Sequence, residues 1–234
     1  MEVIFEGSLC NGQETFYVIP LSIIHIEKIL DLQEIVIDAL EDKGMLQPLS
    51  REEFAYILNG NGLMIGAFLD EKLIAFRALL VPVIDEEHLG LDIGLAEEDL
   101  KKVIYQEISN VHPTYRGNRL QQTLATLIMK ELARKKLAYS YLCCTVAPYN
   151  IPSLKDKFAQ GMHIAALKEK YGGRLRYIFT KKIDEPCEKS LDEKVKLNIK
   201  DIKGQQELLA FNWKGTGMEV QNGEYWIEYS RIGK

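Results

Sequence analysis

The sequence predicts a mixed α/β (α+β) fold, and three observations carry that reading. Short apolar strands end in tight turns, amphipathic stretches place apolar residues three and four apart, and the character of the chain changes from Glu185 onward. The expected division is a main domain over residues 1–183 and a small C-terminal strand/helix/hairpin appendage over 184–234.

In chain order, FYVIP at 16–20 reads as a strand. A helix from Ser22 to about Asp42 follows, with Ile23, Ile26, Ile29 and Leu30 at helical spacing. Ser50 opens a second helix as a capping box, since Glu53 stands three residues on and can return a hydrogen bond to the serine N–H. After the turn Asn59-Gly60-Asn61-Gly62 come LMIGAFLD and KLIAFRALLVP, apolar strands joined antiparallel through Asp70-Glu71. Residues 85–99 hold seven carboxylates and no lysine or arginine, which reads as a solvated loop or a rim of negative potential.

VIYQEIS at 103–109 is a strand that alternates in character and places Tyr105, Glu107, Ser109 and Val111 on one face. A helix from Leu120 carries Leu124, Leu127, Ile128 and Leu132 on its apolar side. SYLCCTVAP is a further apolar strand, Asn150-Ile-Pro-Ser153 opens a short helix ended by Gly161, and residues 164–182 form a hairpin about Gly172-Gly173. In the appendage, alternating KVKLNI and a weak helix precede GMEVQ-NG-EYWIEY, whose Asn222-Gly223 is the strongest short hairpin signal in the chain. About fifty residues do not easily fold alone, so this segment is expected to pack on the main domain or on a second subunit.

With 29 Lys and Arg against 34 Asp and Glu, the net charge of −5 argues against a general nucleic-acid binder. No apolar run approaches the roughly 18–20 residues that span a bilayer, and the acidic start MEVIFEGSLCNGQ is unlike a signal peptide, so a cytoplasmic protein without a membrane partner is expected. Cys10, Cys143, Cys144 and Cys187 lack metal-ligand spacing, so no metal is expected and the thiols read as reduced.

The most informative stretch is NVHPTYRGNRLQQTL, residues 110–124, which leads from a strand end onto a helix N-terminus. The first turn of a helix presents N–H groups without intrahelical partners and a partial positive dipole, so anions bind there. Gly117 permits unusual dihedrals, and Arg116 and Arg119 add charges that can fork onto phosphate oxygens. A pyrophosphate suits such a turn; a plain turn glycine flanked by solvated arginines is the other reading.

The order of elements, together with V-H-P-T-Y-R-G-N-R-L at 111–120 and N-x-x-S at 150–153 followed by Gly161-Met162, resembles the GNAT superfamily of acyl-CoA N-acyltransferases over roughly residues 16–183. The resemblance implies a mixed, mostly antiparallel central sheet flanked by helices, and acetyl-CoA as cosubstrate. It implies that the pyrophosphate rests on the N–H groups of Arg116, Gly117, Asn118, Arg119, Leu120 and Gln121, with pantetheine along the strand ends and Asn150 and Ser153 at its lower half or the adenylate. Asn150 also suits a plain helix cap.

Three positions depart from the family pattern: Arg119 and Gln121 stand where the loop usually has small residues, and Lys157 stands where a general-acid tyrosine is frequent. Acyl transfer to an amine needs a base, an oxyanion donor and a proton for the thiolate. The candidates are Glu107 as base, the Val111 N–H for the oxyanion, and Lys157 as acid, with Tyr149 and Tyr171 as looser alternatives. Packing or a salt bridge is the other reading of Glu107, and solvation that of Lys157. The function implied is direct transfer of an acetyl group to a primary amine of a small molecule or peptide, with a homodimer left open. The rival is a CoA-binding sensor or scaffold without transferase activity; a phosphate-binding loop of another kind lacks its G-x-x-x-x-G-K-[ST] or G-x-G-x-x-G run.

Overall fold

A computed structural model describes residues 2–10, 12–136, 138–183 and 190–232. Cys187 and the connector at 184–189 lie outside the described residues. The strands are β1 (Phe5–Ser8), β2 (Thr15–Pro20), β3 (Gly62–Leu69), β4 (Lys72–Leu80), β5 (Val103–Val111), β6 (Tyr141–Val146), β7 (His163–Lys170), β8 (Arg174–Lys182), β9 (Ser190–Asn198), β10 (Trp213–Gln221) and β11 (Glu224–Ile232). The α-helices are α1 (Ile26–Asp38), α2 (Arg51–Leu58), α3 (Leu89–Asp92), α4 (Leu120–Arg134), α5 (Ile151–Ala159) and α6 (Ile202–Ala210). The architecture is mixed α/β, with antiparallel strands flanked by helices, and the chain falls into two compact units, residues 1–82 with 105–138 and residues 83–104 with 139–234.

In the first unit the strands run in the order β1-β2-β3-β4-β5, each antiparallel to its neighbour. The β1 edge strand is an element the sequence reading did not include: FEGS is short and mostly exposed, so it shows no periodicity. One face of this sheet carries Met64, Phe68, Phe76, Ala78 and Ile108, packed against Ile29, Leu32 and Val36 of α1 and Phe54 and Ile57 of α2. The capping box of α2 forms as the spacing predicts: Glu53 N–H donates to Ser50 Oγ at 3.2 Å, and Ser50 N–H donates to Glu53 Oε2 at 2.7 Å. Helix α4 packs on β3 and β4, and its expected apolar stripe, Leu120, Leu124, Leu127, Ile128 and Leu132, is buried.

The second unit has the strand order β6-β8-β7-β10-β11-β9, again antiparallel throughout. The C-terminal hairpin joins β7 through one pairing, Gly215 with Ile164. A Cβ on Gly215 would stand 2.8 Å from the Ile164 side chain, so a glycine is what lets the two strands meet. A buried polar node then fixes the C-terminal elements: Tyr177 Oη of β8 and Tyr229 Oη of β11 both donate to Gln205 Oε1 of α6, at 2.6 and 2.7 Å. Gln205 Nε2 donates in turn to the Asn198 and Ile199 carbonyls. All three side chains are buried, and burial pushes both phenols well above their usual range, so they remain donors.

Because one amide oxygen accepts from two buried hydroxyls, Gln205→Leu strands both donors and is expected to cost about 2–4 kcal/mol. Tyr177→Phe removes a single donor and should cost about 1 kcal/mol. The chain's two tryptophans, Trp213 and Trp226, lie in β10 and β11, so fluorescence-detected denaturant unfolding reads this unit directly. Equal midpoints for the two variants would show that the node does not hold the C-terminal elements.

Candidate functional site

The site residues of the first unit are arranged by an irregularity in β5. Ala78 pairs with Ile108 and Leu79 with Gln106, so Glu107 is an extra residue, a β-bulge with no opposite number on β4. A bulge interrupts strict alternation, and every residue beyond it changes face. Tyr105 pairs with Leu80, whereas Ser109 and Val111 pair with Arg77 and Ala75, which point to the other side of β4. The single face predicted for Tyr105, Glu107, Ser109 and Val111 is therefore split, and the reason is the unforeseen bulge. Glu107 is partly buried, and burial, with a smaller contribution from the Glu53 carboxylate of the α2 capping box, pushes its pKa up to about 7.

Past the bulge, the His112 N–H donates to the Ile74 carbonyl at 2.9 Å. Backbone groups alternate in direction along a strand, so the Val111 N–H is turned away from β4. Two polar side chains precede this point: Ser109 Oγ and both amide atoms of Asn110 are buried without a hydrogen-bond partner among the described residues, and Asn110 is only 1 % exposed. Sequence reasoning placed Ser109 on the strand face of Glu107 but had no signal for Asn110, because an asparagine beside a proline turn reads as ordinary loop approach.

The loop reaches α4 through two left-handed residues, Gly117 at φ +83° and Arg119 at φ +58°. Nothing lies within 4 Å of where a Cβ on Gly117 would stand, so glycine is required there by its backbone angle and leaves open space above the peptide. Arg119 holds the N-cap position of α4 but makes no side-chain cap, and the first turn contains no acidic residue. The first helical bond described runs from Thr123 N–H to the Arg119 carbonyl, and the earlier first-turn N–H groups, which have no intrahelical acceptor, are donors of the kind that bind anions.

Arg116 and Arg119 are exposed, and Leu120 is buried, so Leu120 can contribute only its backbone. Asn118 is occupied: its Oδ1 accepts from Cys10 N–H at 2.8 Å, and its Nδ2 donates to the Tyr115 carbonyl at 3.0 Å. It therefore shapes the loop through its side chain. Burial, with the cations Lys72 and Arg116 nearby, holds His112 below its ordinary pKa. Gln121 is tied to the sheet from below, its carbonyl accepting from Arg77 Nη1 at 3.0 Å.

Asn150, Ser153 and Lys157 belong to the second unit. Asn150 caps α5, its Oδ1 accepting from Ser153 N–H at 3.2 Å. Lys157 is buried and donates to Asp156 Oδ2 at 3.2 Å. Tyr149 and Tyr171 are exposed. The acidic segment is less bare than its composition suggests, because β7 reaches it. Lys170 Nζ lies 2.8 Å from Glu87 and 3.0 Å from Asp92, Lys168 lies 2.9 Å from Asp92, and Lys102 lies 2.7 Å from Asp99. Among the described residues three of the seven carboxylates are thus paired, which weakens the rim of negative potential.

An arginine in the left-handed region costs about 1–2 kcal/mol that glycine does not pay. Arg119→Gly is therefore expected to raise thermal stability by roughly 1–4 °C, whereas Arg116→Gly, at φ −61°, should lower it. A melting comparison in which both variants move the same way would contradict this.

No family model and no curated protein matches the sequence. Solved structures do. The ribosomal-protein-S18-alanine N-acetyltransferase from Escherichia coli aligns at 16 % identity and TM-score 0.54 over 73 % of this chain and 96 % of that one. A putative acetyltransferase from Salmonella typhimurium, solved with its cofactor acetyl-CoA, aligns at 11 % and 0.53 over 73 % and 95 %. An N-acetyltransferase from Thermoplasma acidophilum in complex with coenzyme A aligns at 16 % and 0.50 over 71 % and 98 %. With an acetyltransferase described as of the GNAT family from Streptococcus pneumoniae also among the matches, the chain has the fold of the GNAT N-acetyltransferases.

Proposed function

We propose that the protein is an acetyl-CoA-dependent N-acetyltransferase that moves the acetyl group directly to a primary amine. The observation that carries the reading is Glu107, set out of the ladder by the bulge and pushed up to about 7, the range in which a general base works at neutral pH. The residues present fit a CoA molecule: the uncapped first turn of α4, the open space above Gly117 and the exposed Arg116 and Arg119 suit a pyrophosphate. Acetyl-CoA would supply the acetyl group as a thioester.

In this reading Glu107 takes the proton of the attacking ammonium or amine, and the Val111 N–H, turned away from β4, stabilises the oxyanion. Asn150 and Ser153 are kept as cosubstrate contacts on the family resemblance alone, and within the second unit the Asn150 side chain serves as the cap of α5. The proton for the departing thiolate is assigned to Lys157, whose ammonium is held against Asp156. That ion pair is also the observation that favours the rival, a CoA-binding sensor or scaffold without transfer, because a lysine committed to a carboxylate is a poor acid. The acceptor class is an amine of a small molecule or peptide.

Two measurements separate these readings. CoA at a hundredfold excess over its Kd is expected to stabilise the protein by about 2.7 kcal/mol, roughly 5–10 °C in Tm, with neither ATP nor NAD matching it. Absence of a shift at millimolar CoA would sink both the transferase and the sensor.

For Glu107→Gln, kcat/KM on a panel of amines should drop about 10²- to 10⁴-fold and lose the rise with pH centred near 7, while CoA affinity is kept. The same carboxyl has a folded-state pKa above its unfolded one, so folding binds a proton and wild-type stability falls as pH climbs from about 4.5 to 7. The glutamine variant should accordingly melt higher at pH 8, with the gap closing below about pH 5. An unchanged rate would leave direct attack by an already neutral amine, and no thiol release from wild type would select the sensor.

A further inference from the structure

The strand β4 reads KLIAFRALL, and its one interior charge, Arg77, is among the largest fully buried side chains of the protein, 1 % exposed. It pairs with Ile65 on one side and Ser109 on the other, on an interior strand of the first unit's sheet. A leucine would satisfy the packing of such a position, and a guanidinium there must be compensated by specific hydrogen bonds. Two of the bonds it makes reach the candidate site. Nη1 donates to the Gln121 carbonyl at 3.0 Å, in the first turn of α4, and Nη2 donates to Gln106 Oε1 at 2.8 Å, beside the bulge on β5.

The planar fork of an arginine holds two acceptors in a fixed relation, which a single ammonium cannot do, and it stays charged at every working pH. Arg77 thereby locks the start of α4 to the strand that carries Glu107. It also places a positive charge, shielded from water, under the helix end proposed to receive the anion. Arg116 and Arg119 are exposed and screened by salt; Arg77 is not.

From this geometry we infer that Arg77 is a positioning residue for the anion cradle: it fixes the first turn of α4 and strengthens the field there without touching the ligand. The inference rests on the proposed CoA site and deepens it. It predicts that a residue inside the sheet controls pyrophosphate affinity.

The test is calorimetric titration of CoA into wild type, Arg77→Met and Arg77→Lys, with pantetheine, which lacks the pyrophosphate, as the second ligand. Arg77→Met is expected to weaken CoA about tenfold or more, the size of one lost charge-assisted bond. Arg77→Lys, which keeps the charge but loses the planar fork that fixes the two acceptors relative to each other, should fall between the two. Pantetheine should bind all three alike. If Arg77→Met does not fold, Gln106→Leu carries the test: it keeps the arginine, frees one arm of its fork, and should weaken CoA about three- to tenfold. Wild-type CoA affinity in the folded variant, or an equal loss for pantetheine, overturns the inference while leaving the CoA site standing. Failure of wild type to bind CoA takes both down.

Discussion

One inserted residue governs the geometry of the first unit. Had β5 paired with β4 in strict register, Glu107 would be an ordinary ladder residue, its backbone bonded on schedule and its side chain fixed by alternation. The bulge at Glu107 removes it from the ladder and reverses the faces of everything beyond it, so that Ser109 and Val111 align with Arg77 and Ala75. A carboxylate in that position has lost the hydration of a surface residue without gaining a cationic partner, and its raised pKa follows from that balance. Glu53, committed to capping α2, adds a like charge as a by-product of helix formation.

The parts of this arrangement that were legible in the sequence are the parts fixed by local rules. The α2 capping box, the α4 stripe and the Asn222-Gly223 hairpin each depend on residues within a few positions of one another, and each is present with the expected partners. The bulge was not legible because register is decided by the partner strand: VIYQEIS alternates equally well with or without an inserted residue. Gly117 was read as a position of unusual dihedrals, and it has a φ of +83°. Arg119 departs from a small-residue pattern in identity while keeping the left-handed backbone. Arg77 left a trace, a charge inside an apolar run, which composition-level reading passes over. The acidic segment shows the limit of counting along the chain: cations for Glu87 and Asp92 arrive from a strand some eighty residues away.

In the second unit the same principle appears as hydrogen bonding. A segment too short to supply a core of its own is attached by one close backbone pairing at Gly215 and by a glutamine that accepts from two tyrosines. Non-directional burial of Ile227 and Tyr229 supplies adhesion, and the two donors on one acceptor specify orientation, since a rotated helix would leave three polar groups unmet.

The clasp between Cys10 and Asn118 joins residues 108 positions apart, and the bond from Arg77 to Gln121 spans 44. Contacts this distant are closed only after the intervening chain has been ordered, because the entropy of loop closure comes before the reward. The shape of the turn is accordingly a late property of the folding chain. A peptide cut from residues 110–124 would carry the whole motif and none of its geometry, and what looks on paper like a self-contained signature is assembled by its remote neighbours.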